Sequence, residues 1–211
     1  MKIGIIGATG NVGQVVTREA LNRGHEVSAI VRNAEKAKNL LGDDVTIVEK
    51  DAMALTRDDL TDYDVVVDAF ASTKPYLHVD LAARLVSFFR DDDQTRLAFI
   101  IGASILHNET GETLLADTLK QYAGEPWLDG MIQQDHEYDF IQWVDNVDWT
   151  VITPSTEFAD GPKTAYKLGG DQVITSAAGK AEVSFANFAA ALIDEIETPK
   201  HTRQQFAVVD A

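Results

Sequence analysis

The stretch IGIIGATGNVGQVV, Ile3 to Val16, places Gly7, Gly10 and Gly13 three residues apart, directly after an apolar run. Glycine lets a backbone turn tightly and approach a neighbour closely. If the run is a parallel strand and Asn11 opens a helix, unpaired N–H groups and a positive dipole end lie where the strand finishes. An anion settles in such a place. Gly7 then permits the turn, Gly10 admits a pyrophosphate to the backbone, and Gly13 lets the helix pack on the strand. Thr9 and Asn11 add side-chain donors. The chemistry indicated is the holding of a dinucleotide.

SAIVRNAEK bears on which dinucleotide. In this type of fold an acid usually ends the second strand and takes the ribose 2′-hydroxyl of NAD. Here the position is Arg32, nineteen residues after Gly13, with Lys36 one turn further. A guanidinium pairs in forked geometry with a 2′-phosphate, so NADP(H) is expected over NAD(H). The other reading of Arg32 is a solvent-facing arginine at a helix entry.

These residues need a scaffold, and strand-like and helix-like segments alternate to supply one. Lys2 to Ile6, Glu26 to Val31, Val45 to Glu49, Val65 to Phe70, Leu97 to Ile101, Trp149 to Thr153 and Gln205 to Val209 read as strands. Asn11 to Arg23, Ala34 to Leu41, the stripe Val79, Ala82, Ala83, Val86 and Phe89, Met131 to Val144, and Ser184 to about Glu197 read as helices. Asn108 to Gly130 reads as polar and irregular. The alternation predicts an α/β fold, a Rossmann-like doubly wound parallel sheet with a small C-terminal substrate-side lobe. No linker or repeat divides residues 1–211, so one NAD(P)-binding domain is expected.

The chain has 34 acidic against 18 basic residues, a formal net charge of −16. Such a surface argues against nucleic acid and anionic membranes, which require basic patches. No apolar run approaches the twenty or so residues of a membrane span. Cysteine is absent, which excludes disulfides and thiolate chemistry. Met1 leads almost at once into a strand-like segment, with no room for a signal peptide, so a cytoplasmic location is expected.

GATGNVG together with VRNAEK resembles the atypical short-chain dehydrogenases that bind NAD(P)H, the group of NmrA-like proteins, biliverdin IXβ/flavin reductases and NADH-flavin reductases. DWTVITPS (Asp148 to Ser155), KTAYKLGGDQVI (Lys163 to Ile174) and the Ser184 to Ala191 pattern extend the resemblance over nearly the whole chain. It implies that Gly7, Thr9, Gly10, Asn11, Val12 and Gly13 hold the pyrophosphate and Arg32 the 2′-phosphate. It also implies that Asp51 and Ala52 lie near the adenine, and that Ala69, Phe70, Ala71, Pro154, Ser155 and Thr156 lie on the nicotinamide side. Where the group often has GGAGSL this chain has IGASIL, which keeps a serine at Ser104.

Carbonyl-reducing members use a Tyr-x-x-x-Lys pair as proton donor. Four residues after Tyr63, Tyr76, Tyr122, Tyr138 and Tyr166 stand Val67, Asp80, Pro126, Gln142 and Gly170, and the expected pair positions read Asp129 and Gln133. Hydride transfer to an acceptor needing little acid help survives, a flavin or quinone-like molecule, with the cofactor carrying the reaction. Ser104 either donates a hydrogen bond to that acceptor or satisfies the backbone at a strand end. His107 either meets the substrate or faces solvent. Phe158 and Trp127 either roof a flat substrate or pack locally. His136 lacks a second ligand at helical spacing, and no metal is expected. A second reading is a non-enzymatic NADP(H) sensor acting on a protein partner.

Overall fold

A computed structural model describes residues 1–211. Ten strands and six helices follow in the order β1 (Lys2–Ile6), α1 (Asn11–Asn22), β2 (Glu26–Val31), α2 (Ala34–Leu41), β3 (Thr46–Glu49), β4 (Val65–Asp68), α3 (Leu77–Phe88) and β5 (Arg96–Ile100). Then come α4 (Leu114–Tyr122), α5 (Leu128–Ile141), β6 (Trp149–Pro154), β7 (Glu157–Ala159), β8 (Tyr166–Gly169), β9 (Glu182–Ser184), α6 (Phe185–Glu197) and β10 (Gln204–Asp210). Eight strands form one sheet in the order β3-β2-β1-β4-β5-β6-β10-β8, parallel except for β8. This is the doubly wound Rossmann-like fold that the alternation predicts.

The central strands are apolar throughout because helices cover both faces. On one face Val16 and Ala20 of α1, Ala37 and Leu41 of α2, and Phe188, Leu192 and Ile196 of α6 pack on Ile3, Ile5, Val65 and Val67. On the other, Leu81, Leu85 and Val86 of α3 and Ile141 of α5 pack on Ile6, Val66, Leu97 and Phe99. α4 lies against α5. A small parallel pair, β7 with β9, forms the C-terminal lobe beside the sheet. No helix is long and apolar enough to cross a membrane.

Most boundaries shift by a residue or so, and three differences are larger. β4 stops at Asp68, not Phe70, because the Asp68 carboxylate accepts the Phe70 N–H at 2.9 Å and turns the chain out of the sheet. The stretch expected to be irregular contains α4, capped where the Thr113 hydroxyl accepts the Ala116 N–H at 3.1 Å. Its apolar signal is thin because Leu115 alone is fully buried. α5 begins at Leu128, three residues before the expected start.

Candidate active site

β1 pairs with β2 on one side and β4 on the other, so helices leave for opposite faces between β1 and β4. At such a switch point the strand ends part and leave a crevice. Two adjoining cavities, of about 210 Å³ and about 270 Å³, occupy it. They share Gly10, Ala69, Phe70 and Ala71.

The glycine loop forms their common wall. Gly7 has φ +77°, and a Cβ there would run into the Ala69 carbonyl. The Gly10 N–H donates to the Gly7 carbonyl at 2.9 Å, closing the turn. Gly10 is the N-cap of α1 and contributes no side chain, so nothing from the protein caps the first turn. A Cβ at Gly10 would meet only the Gly7 carbonyl oxygen, at 3.3 Å, and would otherwise fill open space. Gly13 lies beneath the loop, where a Cβ would collide with the Gly7 carbonyl and approach the Ala8 Cα to 2.8 Å. An open cradle at Gly10, closed packing at Gly7 and Gly13 and a bare helix start fit a pyrophosphate.

The first cavity is also lined by Thr9, Arg32, Lys36 and Ala52, four of the candidate site residues, with Ile6, Ile30 and Val31. Arg32 and Lys36 are exposed, and neither enters an ion pair. Lys50, which the sequence did not flag, completes a cationic rim, but its ammonium is held at 2.5 Å by Asp59. Asp51 stays outside the wall; its carboxylate accepts the Met53 N–H at 2.8 Å and caps the short 3₁₀ turn Ala52–Ala54.

Asn11, Val12 and Phe158 line the second cavity with Ile100, Ile101, Gly102 and Gln134. Phe158 lines the space and also packs locally, stacked on Phe185 at 4.7 Å and edge to face with Phe188 at 4.9 Å. Gln134 is a second polar residue that the sequence did not flag. It stands one position beyond the Gln133 singled out by sequence spacing, and its amide oxygen accepts the Gly102 N–H at 3.3 Å. α5 carries no clear apolar stripe, so its facing could not be read without its packing partner.

The other expected residues lie off the cavity walls. The Ser155 hydroxyl donates to the Ile174 carbonyl at 2.5 Å and accepts the Ile174 N–H at 3.0 Å, stapling a loop of the C-terminal lobe. Thr156 donates to the Ala181 carbonyl at 2.6 Å, and Pro154 ends β6. His107 bridges to Thr113 and Gln172 through its backbone. Trp127 is exposed and leans on Tyr122 at 5.6 Å. Ser104 is buried in the 3₁₀ turn Ala103–Ile105, and its hydroxyl has no partner.

A group of buried titratable side chains lies directly behind the shared wall. Asp68, His78 and Glu137 come from β4, α3 and α5. The His78 Nδ1 is 3.7 Å from the Glu137 Oε2, which has no hydrogen-bond partner. The Phe70 ring meets the His78 ring edge-on at 5.6 Å. Burial pushes the Asp68 carboxyl up, against the opposing Phe70 N–H. Burial, and then the charge of Asp68, push Glu137 well above the carboxylate range, and burial pushes His78 down.

A parallel sheet with a glycine-turned crevice at its switch point defines a dinucleotide-binding α/β protein. The chain belongs to the NAD(P)H-binding family, whose model matches residues 7–199. It is 39% identical to the Bacillus subtilis protein YwnB over 99% of this chain and 98% of that one. A Lactobacillus casei crystal structure superposes over 100% of both chains with TM-score 0.94 and 38% identity. A Streptococcus pneumoniae TIGR4 structure, provisionally named an NADH-flavin reductase, superposes over 100% of both with TM-score 0.87 and 31% identity.

Proposed function

We propose that the chain is an NADPH-dependent reductase that passes hydride to a flavin or quinone-like acceptor in the cytoplasm. The observation that carries the cofactor choice is the pair Arg32 and Lys36. In a chain of net charge −16, two cations without carboxylate partners edge the cavity that adjoins the glycine loop. They suit the 2′-phosphate of NADPH, in place of which NADH has a neutral hydroxyl. The name of the Streptococcus pneumoniae relative supports a flavin acceptor but specifies NADH, so this preference is the point to test.

The cofactor supplies the hydride when bound. The chain's own residues hold and orient. The first turn of α1 and the Gly10 cradle take the pyrophosphate. Phe70 and Phe158 line the same cavity, where they offer apolar faces to an acceptor ring. The Gln134 amide oxygen is committed to Gly102, which leaves its NH₂ to donate to an acceptor carbonyl. Sequence spacing offers no Tyr-x-x-x-Lys acid, which favours acceptors that take their proton readily.

The test is cofactor oxidation followed by nicotinamide absorbance, with free FMN, riboflavin or a small quinone, using NADPH and NADH. Arg32→Ala should raise KM for NADPH by about tenfold or more and leave NADH little changed, as loss of a charge-assisted contact of ~1.5–3 kcal/mol requires. Tight NADPH binding with no turnover on any acceptor would instead support the NADP(H)-sensor reading.

A further inference from the structure

Buried carboxyl groups need a reason, because burying a charge is costly and burying an orphaned acceptor nearly as costly. Asp68, 6% exposed, and Glu137, 3% exposed, lie with His78 in one buried cluster behind Phe70, and no lysine or arginine is paired with either. The groups that face Glu137 from the packed elements are Asp68 from β4 and His78 from α3; Asp135, His136 and Tyr138 are its neighbours along α5. Two like carboxyl groups in a dry site cannot both ionise cheaply, so the pair keeps a proton. The cluster is one side-chain layer from the second cavity. Asp68 immediately precedes the shared wall Ala69–Phe70–Ala71 and bonds to Phe70. Glu137 lies one helical turn beyond the cavity residue Gln134.

The reading of that cavity as the nicotinamide side belongs to the function proposed above, and a redox role for the cluster rests on it. The oxidised nicotinamide is a cation and the reduced ring is neutral. A positive charge beside the cluster stabilises its ionised form, whereas a neutral ring does not. We propose that Asp68 and Glu137, steadied by His78, determine which redox form of the cofactor is bound more tightly, because the cluster releases a proton when the oxidised ring occupies the second cavity. The balance is simple: protonated protein plus NADP⁺ gives the bound complex plus one H⁺ to solvent, whereas NADPH binds without that release. By linkage the protein favours NADP⁺ increasingly as pH rises, and by at most about tenfold per pH unit for one proton. Oxidation of bound cofactor thus frees a proton at the moment when a reduced acceptor needs one.

Calorimetric titration of the wild-type protein with NADP⁺ and with NADPH, each in two buffers of different ionisation enthalpy between pH 6 and pH 8, counts the protons directly. Protonation changes at the 2′-phosphate are common to both ligands and cancel in the difference. A larger release with NADP⁺, approaching one proton, and a ratio of dissociation constants that moves toward NADP⁺ as pH rises, are expected. Glu137→Gln, neutral and nearly the same shape, should bring the two counts level; Asp68→Asn serves if that variant does not fold. Equal counts in the wild type at every pH would overturn the assignment while leaving the cofactor site standing. Failure of either form to bind would overturn the site itself, and the assignment with it.

Discussion

Gly10 and Gly13 look alike in the sequence and face opposite physical demands. Gly13 is packed, and an alanine methyl there has no room beside the Gly7 carbonyl and the Ala8 Cα. Gly13→Ala should cost ~2–3 kcal/mol and lower the melting temperature by about 5–10 °C, read by circular dichroism. Gly10 is open, with an ordinary extended backbone at φ −75° and ψ 168°. Gly10→Ala should melt within about 2 °C of wild type yet weaken NADPH binding at least about tenfold, because the methyl fills the cradle. A Gly10→Ala protein that binds NADPH normally would remove the pyrophosphate from this loop. The residue pattern made this loop and the position of Arg32 legible, since backbone demands and charge are local properties. Gln134 and the buried Asp68, His78 and Glu137 cluster were not legible. They join helices and strands far apart in the chain, and no spacing encodes how α5 is rotated against β4.

At the scale of elements, the fold is tied together by ion pairs across long sequence separations. Arg96 of β5 reaches Glu195 of α6 at 2.7 Å, both almost fully buried, and Glu195 also accepts the Lys200 and His201 N–H groups at 2.9 Å. Glu195→Ala leaves the buried Arg96 guanidinium with only the Asp148 carboxylate, at 3.6 Å, and should cost roughly 3 kcal/mol, measured by urea denaturation near neutral pH. Burial works to raise the Glu195 carboxyl, but Arg96 and the N–H donors prevail and hold it below its usual value. A lowered carboxyl stabilises above the unfolded pKa, and that stabilisation is lost as pH falls from the ordinary carboxylate range downward. The gap between wild type and variant should therefore narrow below about pH 4. Periodicity located β5 and α6 because their apolar faces repeat. α4 escaped because its single buried leucine makes no stripe, although Thr113 before it was a readable cap. The lobe strands β7, β8 and β9 escaped because three or four residues carry no period.

For the whole molecule, charge sets how a polyanionic ligand arrives. The net charge of −16 repels it at long range, while Arg32 and Lys36 attract it only at the mouth. Salt screens the long-range part first, with a Debye length of ~10 Å at 0.1 M. The NADPH association rate, followed by stopped-flow fluorescence, should therefore rise severalfold between about 0.02 M and about 0.2 M salt. A rate that falls over this range would mean that the local cations govern the encounter.

Translation meets the strand order in an uneven way. Each of β2, β3, β4, β5 and β6 emerges from the ribosome to find its sheet neighbour already made. β8 does not: its sole partner in the sheet, β10, is synthesised some thirty-five residues later, and the helix that covers α1 comes in between. Until residues 185–210 are out, the α6-facing side of α1 is bare and β6 keeps an unpaired edge. The nascent chain is thus most adhesive when nearly finished, with its glycine loop already made, and that late interval is when a chaperone has something to hold.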